Sequence, residues 1–392
     1  MKGNELVRVI ATHVFLQGTM GGMRLAAPLL ALQLGYSAVA VGVLIALFAV
    51  TQMLLALPAG RYADRQGLKR PLALAVVAAC GGSMLLALVP TFPAMCAAAL
   101  LTGAATGMTT IALQRHVGRA ADGPTQLKRV FSWLAIAPAA ANFVGPFVAG
   151  LVIDHAGLAP ADLQSYRVAF AVLALMPLIS WALVRTLPEP PIAPPVAGAR
   201  TTRAWDLLRD GMFRRLLFVN WLQSSSWDVH AFVLPILGHE LGLSASVIGS
   251  ILGAFAIAAA VIRIVLPMVA TRTTERGVIL AATLTTAVVF AIYPLLSSAW
   301  TMGLCSIVLG FALGAVQPMV MSMLHQITPH ARHGEALGLR LMTVNASSVA
   351  MPMLFGAAGA LIGVASVFWV VGGVVAVGSR AVWGLRAGAQ SL

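Results

Sequence analysis

The chain has 392 residues, of which 59% are hydrophobic and 9% are charged, and its mean hydropathy is +0.91. This composition excludes an ordinary soluble globular protein and indicates an integral membrane protein. The net charge of +13 does not call for a nucleic-acid partner, because the Lys and Arg residues concentrate in the short segments between apolar runs.

Apolar runs of about 20 residues are long enough to cross a bilayer as helices. All Lys and Arg residues except Arg24, Arg167 and Arg263 fall on one face if the N-terminus lies inside, as the positive-inside rule requires. We therefore predict an all-α membrane protein with twelve transmembrane helices and both termini in the cytoplasm, in a cell membrane of the bacterial inner-membrane kind. In chain order the predicted spans are 6–32, 39–59, 71–90, 93–113, 131–153, 166–187, 215–237, 246–270, 277–297, 299–324, 335–361 and 364–385.

The first span carries a polar stripe of His13, Gln17 and Arg24, which lie within about 40° of one another on a helical wheel. We expect this stripe to face a central cavity. Arg24 lies near one end of the span, so snorkelling to the membrane surface is an alternative. If it lines the cavity, it favours an anionic or zwitterionic substrate, whereas Trp227 together with Met20 and Met23 equally suits a bulky apolar compound.

A charged segment, Gly60-Arg-Tyr-Ala-Asp64-Arg65-Gln-Gly67-Leu-Lys69-Arg70, separates the second and third spans. One interpretation is a tight, positively charged turn. The spacing also resembles the loop between helices 2 and 3 of major facilitator superfamily transporters. The resemblance implies two six-helix halves and a cytoplasmic latch that holds an outward-open state. Asp64 would then meet the N-terminal end of the eleventh span, near Glu335.

The fifth span contains Ala141-Asn142-Phe-Val-Gly145-Pro146-Phe-Val-Ala149-Gly150. This segment resembles the glycine-proline pattern of the drug:proton antiporters of the same superfamily, although two positions hold alanine where that pattern prefers glycine. The resemblance implies export in exchange for protons. The alternative is a packing seam, because small residues four apart let helices approach closely.

The longest polar interval, Arg185 to Arg215, is rich in proline and predicts an extended linker between six spans and six. We predict an N-terminal bundle over 1–187, a linker over 188–214 and a C-terminal bundle over 215–392, with a substrate site near the midplane between two pseudo-symmetric halves. An offset of 207 residues supports the repeat, since it aligns Leu34–Gly42 with Leu241–Gly249 and pairs Gly103 and Gly107 with Gly310 and Gly314.

The charged segment has no full counterpart in the second half. At the same offset Asp64 meets Thr271 and Gly67 meets Thr274, and only Arg65 keeps its type, as Arg272. The sequence therefore predicts an asymmetric gate.

Asp228 is the one acidic residue inside an apolar span, about 18–20 Å along the seventh span from its cytoplasmic end. An ionisable group at this depth costs several kcal/mol unless it is paired or functional. It is either the group that carries the coupling proton or a structural partner in an ion pair. Arg24 and Arg263 are possible counter-charges, each about 8–10 Å away in depth.

Further polar side chains within the spans are candidates for the substrate cavity. An interhelical hydrogen bond is the alternative role for each single amide. These candidates are Gln52, Asn142, Asn220, Gln223, Ser224, Trp227, Arg263, Gln317 and Asn345.

Other chemistries find little support in the sequence. No nucleophile with a neighbouring base suggests an enzyme, no Walker-type loop suggests direct use of ATP, and the loose group of His325, His330 and His333 lacks metal-ligand spacing. We expect no cofactor other than a proton gradient, no disulfide, no metal, no nucleic acid, and a monomer embedded in lipid.

The predicted function is therefore a secondary transporter, most simply a proton-coupled exporter of a small organic compound that works by rocking of its halves. A proton symporter that imports a small organic anion is the alternative. A sensor that does not transport is also compatible with the sequence.

Overall fold

The computed structural model describes residues 3–156, 162–189, 204–243, 245–269 and 272–385. These residues form α-helices joined by short turns and contain no β-strand. The helices are α1 (Gly3–Gln33), α2 (Ala38–Gln66), α3 (Lys69–Leu88), α4 (Phe92–Arg119), α5 (Gly123–Leu134), α6 (Ala137–His155), α7 (Leu163–Val184), α8 (Gly211–Glu240), α9 (Ala245–Val269), α10 (Glu275–Ile292), α11 (Ala299–Ile327), α12 (His333–Ile362) and α13 (Val364–Trp383).

The predicted all-α membrane fold is confirmed. Each predicted span coincides with one helix, except that α5 and α6 together form the fifth span. In the described part of the chain, nine helical segments are long and apolar enough to cross a membrane. α1, α8 and α12 fall outside that group, and in α1 and α8 polar side chains such as Gln17 and Asp228 interrupt the apolar sequence. Most of the predicted linker, residues 190–203, lies outside the described residues.

The fifth span is broken between Leu134 and Ala137. Pro138 stands at the start of α6 and has no amide hydrogen, so it cannot donate to the carbonyl of Leu134 one turn earlier. The amide of Ala135 still reaches the carbonyl of Phe131, at 2.9 Å. The break therefore separates a short helix, α5, from the rest of the span.

The helices group into two compact units. Unit 1 consists of Met1–Ala121, Ile136–Thr201 and His330–Asn345, and unit 2 consists of Asp122–Ala135, Thr202–Pro329 and Ala346–Leu392. Each unit is built mainly from one half of the sequence, with one exchanged segment. α5 belongs to unit 2, and the first part of α12 belongs to unit 1.

The predicted pseudo-symmetry of the two halves is confirmed by matching close contacts. In unit 1, Gly103 of α4 lies so near α2 that a Cβ atom there would overlap the carbonyl oxygen of Phe48. In unit 2, Gly310 of α11 stands in the same relation to the carbonyl oxygen of Phe255 on α9. Both pairs are related by the offset of 207 residues found in the sequence.

Each unit has its own core. In unit 1, Met23, Leu30, Phe48 and Phe170 are completely or almost completely buried between α1, α2 and α7. In unit 2, Tyr293 stacks on Phe368 with ring centres 5.0 Å apart, and its hydroxyl donates to the Met302 carbonyl at 3.2 Å. Helices in a bilayer associate through close packing and internal hydrogen bonds rather than through a hydrophobic driving force, so these contacts and the glycine contacts carry the association.

The charged segment after the second span is more helical than predicted. α2 continues to Gln66, so Gly60 to Gln66 form its last turns, and only Gly67 and Leu68 make the turn into α3. Gly67 has a φ of 77°, a left-handed conformation that favours glycine. The interpretation of the whole segment as a loop was therefore wrong: its polar residues fit the exposed end of a helix as well as a turn.

Candidate functional site

Asp64, near the C-terminal end of α2, binds the N-terminal end of α12 within unit 1. Its two carboxylate oxygens accept from the backbone amides of Gly334, at 2.9 Å, and Glu335, at 3.1 Å. The first amides of a helix lack partners within the helix and carry partial positive charge, so a carboxylate there both caps the helix and complements its dipole. α12 thus receives its N-terminal cap from a residue 270 positions earlier in the chain.

Arg115 of α4 holds the same carboxylate from the other side. Its Nε lies 2.7 Å from Oδ1 of Asp64, and its Nη2 donates to the Asp64 carbonyl at 3.1 Å. A second ion pair joins Arg61 to Glu335 at 2.9 Å, and Arg332 contacts the same glutamate at 2.8 Å. The ends of α2, α4 and α12 are therefore linked by one charge network.

Two glycines allow this approach of α2 and α12. A Cβ atom added at Gly60 would overlap the carbonyl oxygen of Gly334, and a Cβ atom at Gly334 would overlap that of Gly60. Further along, a Cβ atom at Gly338 would lie 2.5 Å from the carbonyl oxygen of Ala56. The glycine that opens the charged segment is thus required by a helix crossing rather than by a turn.

Apart from Arg61, the basic residues of the segment lie outside the network. Arg65 and Arg70 are exposed, and Arg70, in α3, hydrogen-bonds to Gln66, the last residue of α2. Lys69 is partly buried, and its backbone amide donates to Oε1 of Glu189 at 2.6 Å. The amide of Leu68 donates to the same oxygen at 3.1 Å.

Glu189 therefore caps the start of α3, a role that the sequence analysis missed. It lies in the first residues of the predicted linker, 120 positions from the amide that it caps. The only available signal was an acidic residue among prolines, which is also common in solvated linkers.

Asp228 lies in α8 within unit 2, against α12. Its carboxylate lies close to the hydroxyl groups of Ser347 and Ser348, and Ser347 pairs with Ser225, with 3.0 Å between the hydroxyl oxygens. Its Oδ2 is buried and has no hydrogen-bond partner in the described part of the chain. Serine hydroxyls can donate to a carboxylate and accept from a protonated carboxyl, so these groups accommodate both forms of the acid.

In the described part of unit 2, Arg263 forms no ion pair with Asp228. Among the described residues the ion pairs join other side chains. Arg24 is exposed and belongs to unit 1.

Arg263 of α9 is 8% exposed and is held by carbonyl groups and an aromatic ring. Its Nη1 donates to the Ala135 carbonyl at 2.9 Å, and its Nε lies 3.4 Å from the Gly314 carbonyl. Its Nη2 lies 3.5 Å from Oε1 of Gln317, and the guanidinium carbon lies 5.8 Å from the centre of the Trp227 ring.

The polar stripe of α1 is divided in the structure. His13 is buried, with Nε2 3.4 Å from the hydroxyl of Thr110 on α4. Gln17 is partly buried beside it, whereas Arg24 is exposed. His13 thus lies in a packed interface between two helices of unit 1.

Several predicted cavity residues make hydrogen bonds inside their own unit. Gln52 and Asn345 donate to backbone carbonyls one turn earlier in their own helices, at 3.2 and 2.9 Å. Gln223 donates to the Thr283 hydroxyl on α10 at 2.7 Å. The remaining candidates are Asn142, which is exposed, Asn220, which is buried, and Ser224, Trp227 and Gln317, which are partly buried.

The glycine-proline segment lies in α6, where it packs against α1. A Cβ atom at Gly145 would overlap the carbonyl oxygen of Gly18, and one at Gly21 would lie 3.3 Å from Cδ of Pro146. Gly150 has open space at its Cβ position. Gly145 and Pro146 therefore contribute to a packing seam, and Gly150 does not.

His230 is a further polar residue of α8 that the sequence analysis missed. It is completely buried, its Nε2 lies 2.9 Å from the Ser306 hydroxyl, and that hydroxyl lies 2.8 Å from the Tyr293 hydroxyl. α8 is polar on several faces, so its pattern gave no reason to single out this histidine.

The three histidines near the end of α11 occupy different surroundings. The ring of His325 lies 4.8 Å from that of Phe131 on α5, while the rings of His330 and His333 lie 5.0 Å apart. The described residues contain no group of three or more His, Cys, Asp or Glu side chains able to hold a metal ion.

Comparison with known proteins gives a family and a fold. The model of the Major Facilitator Superfamily matches residues 9–222 and again residues 216–388. The human organic anion transporter MFSD10 (TETRAN) is 18% identical with a TM-score of 0.76, and the match covers 97% of this chain and 100% of that one.

A second solved structure is a bacterial homologue of the iron transporter ferroportin in an outward-facing state. It is 14% identical with a TM-score of 0.77, and the match covers 98% of this chain and 99% of that one. No significant match was found among curated protein sequences. Identities this low show a shared fold and no more.

Proposed function

The chain belongs to the major facilitator superfamily, and we propose that it is a secondary transporter that exports a small organic compound in exchange for protons. Transport would proceed by alternating access of its two halves. The proton gradient would be its energy source, and the protein would act as a monomer in a cell membrane, with both termini in the cytoplasm.

The observation that carries the proposal is the environment of Asp228. A carboxylate inside a membrane-spanning helix is costly without a counter-charge, and in the described residues no ion pair neutralises this one. Serine hydroxyls lie beside it, and a hydroxyl group can donate to the charged acid or accept from the neutral acid. A group of this kind is suited to bind and release one proton in each transport cycle.

The network around Asp64 supports the conformational part of the proposal. It joins three helix ends through buried, directional contacts that would have to break together. We propose that this network is the latch that holds one state of the cycle, and that Asp228 supplies the coupling.

A second candidate function is import of a small organic anion together with protons. Arg263 favours it, because this buried cation has no carboxylate partner among the described ion pairs. The two similar structures do not decide the substrate, since one is described as an organic anion transporter and the other as a homologue of an iron transporter.

Transport by the purified protein in liposomes, with a pH-sensitive dye inside, tests the proposal. A substrate is first found by comparing the growth of a deletion strain and a complemented strain across a panel of toxic compounds. Asp228→Asn should abolish substrate-dependent proton movement, while Asp154→Asn, at an exposed acid, should leave it intact.

The direction of the flux separates the two candidates. Efflux of substrate from the liposomes in exchange for protons that enter down their gradient supports export. Accumulation of substrate inside the liposomes together with the entering protons supports import. Proton-driven transport that survives Asp228→Asn would show that this residue does not carry the coupling proton.

A further inference from the structure

We infer that Arg263 is a positioning residue that links the Asp228 site on α8 to the attachment of α5 in unit 2. The inference rests on the proposed function, because it concerns how the proton site would control a gate. Every contact that it uses lies within unit 2.

α5 is attached to its neighbours in unit 2 at three points. At its midpoint, the buried ammonium group of Lys128 donates to the Thr273 carbonyl, in the turn before α10, at 2.6 Å. About one turn later, the ring of Phe131 lies against His325 of α11. Just past its end, Arg263 of α9 holds the Ala135 carbonyl.

The contact at Ala135 stabilises the end of a helix. The last carbonyl groups of a helix lack amide partners and carry partial negative charge, so a guanidinium group there supplies both a donor and a complementary charge. No described acid pairs with Arg263, so carbonyl groups such as that of Ala135 are what balance its charge.

Arg263 also rests on the residue next to Asp228. The guanidinium lies over the face of Trp227, which precedes Asp228 in α8. That indole makes a T-shaped contact with Phe255, with ring centres 4.6 Å apart, and Phe255 stacks on His230, at 4.3 Å. Packing on both sides fixes the indole, so any movement of α8 at Asp228 is passed to the guanidinium.

In the first half of the chain, the corresponding helix contact is made without a long side chain. The offset of 207 residues pairs Arg263 with Ala56, and the carbonyl of Ala56 packs directly against Gly338 of α12. A contact between two backbones has no side chain to reposition. The second half replaces it with a long side chain that touches the helix carrying Asp228, so only this half provides a route from the proton site to the attached helix.

We therefore expect loss of the charge on Asp228 to loosen α5, and Arg263 to be required for this effect. Ser132 provides the reporter, because it lies in α5, is completely buried and differs from cysteine by one atom. The assay measures the rate at which a membrane-permeant maleimide labels Ser132→Cys, in a protein whose Cys80, Cys96 and Cys305 are replaced by serine.

Asp228→Asn should increase the labelling rate by about fivefold or more, the lower end of typical coupling between sites. Arg263→Gln should also increase the rate, and adding Asp228→Asn to it should give no further increase. Trp227→Leu should remove the effect of Asp228→Asn in the same way. Arg263→Lys keeps the positive charge, so in that variant Asp228→Asn should again increase the labelling rate, although by less than with arginine.

Lys128→Met is the matched control, because it loosens α5 at its midpoint, about two turns from Ala135, without passing through Trp227. In that variant Asp228→Asn should still increase labelling by its full factor. Labelling of Ser180→Cys, a completely buried site in unit 1, should stay slow in every variant and so exclude general unfolding.

An equal effect of Asp228→Asn with and without Arg263 would overturn the inference. The inference would also be overturned if Asp228→Asn abolished proton coupling but left the labelling rate of Ser132→Cys unchanged. In that case the proposed function would stand. If proton coupling survives Asp228→Asn, the assignment of the coupling proton to Asp228 fails instead, and the labelling measurements still test the link through Arg263 on their own result.

Discussion

Arg115 and Asp64 form an ion pair of 2.7 Å whose side chains are only 5% and 8% exposed, and the carboxylate of this pair also caps α12. Removing either charge leaves the other buried. The pair is therefore a point at which three helices depend on one another.

We predict that Asp64→Asn and Arg115→Met each lower the free energy of unfolding by about 3–5 kcal/mol, because each leaves an uncompensated buried charge. The double variant should lose clearly less than the sum of the two. Denaturant unfolding in detergent, followed by circular dichroism, measures the coupling. Strictly additive effects would show that the two groups act independently.

We predict that Gly60→Ala is destabilising by about 1–3 kcal/mol, because the new methyl group overlaps the backbone of Gly334. Gly42→Ala in the same helix is the matched control. Its Cβ position has no neighbour within 4 Å, and alanine is the better helix former by about 0.5–1 kcal/mol. Thermal unfolding should rank the two variants on opposite sides of the parent protein, and equal melting temperatures would argue against the crossing.

The α6 seam gives a second glycine pair. Gly145→Ala should destabilise the protein and reduce transport, since its methyl group overlaps the Gly18 carbonyl, whereas Gly150→Ala meets open space and should behave like the parent. Melting temperature and transport rate are measured together. If Gly150→Ala alone impaired transport, Gly150 would have a role in the cycle that packing does not provide.

Gln223 should act through stability rather than through substrate binding, because its Nε2 donates to Thr283 inside unit 2. Thr283→Val removes the acceptor and should cost about 1–3 kcal/mol, while Thr283→Ser should be tolerated. Gln223→Leu combined with Thr283→Val should recover much of the loss. A changed KM with unchanged stability would instead place Gln223 at the substrate.

The helix order and the repeat could be predicted from the sequence because both depend on patterns that the chain carries locally. Apolar runs of membrane length identify helices, and glycines at a constant offset identify a repeated close crossing such as Gly103 on Phe48. The extent of α2 was less accessible, since polar residues that end a membrane span can remain helical beyond it.

The partners of Arg263 and Glu189 could not be predicted, because both side chains bind backbone groups. Every residue has a carbonyl, and nearly every residue has an amide hydrogen. The sequence therefore cannot indicate that Arg263 binds the carbonyl of Ala135 or that Glu189 caps the amides of Leu68 and Lys69. Acidic and basic side chains can be matched by their charges, and for this reason an arginine was considered as the partner of Asp228. The contacts with serine hydroxyls needed the fold.

The twin contacts of Gly103 with Phe48 and Gly310 with Phe255 also bear on how the gene arose. A feature present in both copies was present before the duplication, so an ancestral six-helix polypeptide already joined its second and fourth helices in this way. The carboxylate cap on α12 and the arginine under α5 differ between the copies and were acquired or lost afterwards. The helix pair is the inherited module, and the contacts at the start of α12 and the end of α5 are where the two descendants diverged.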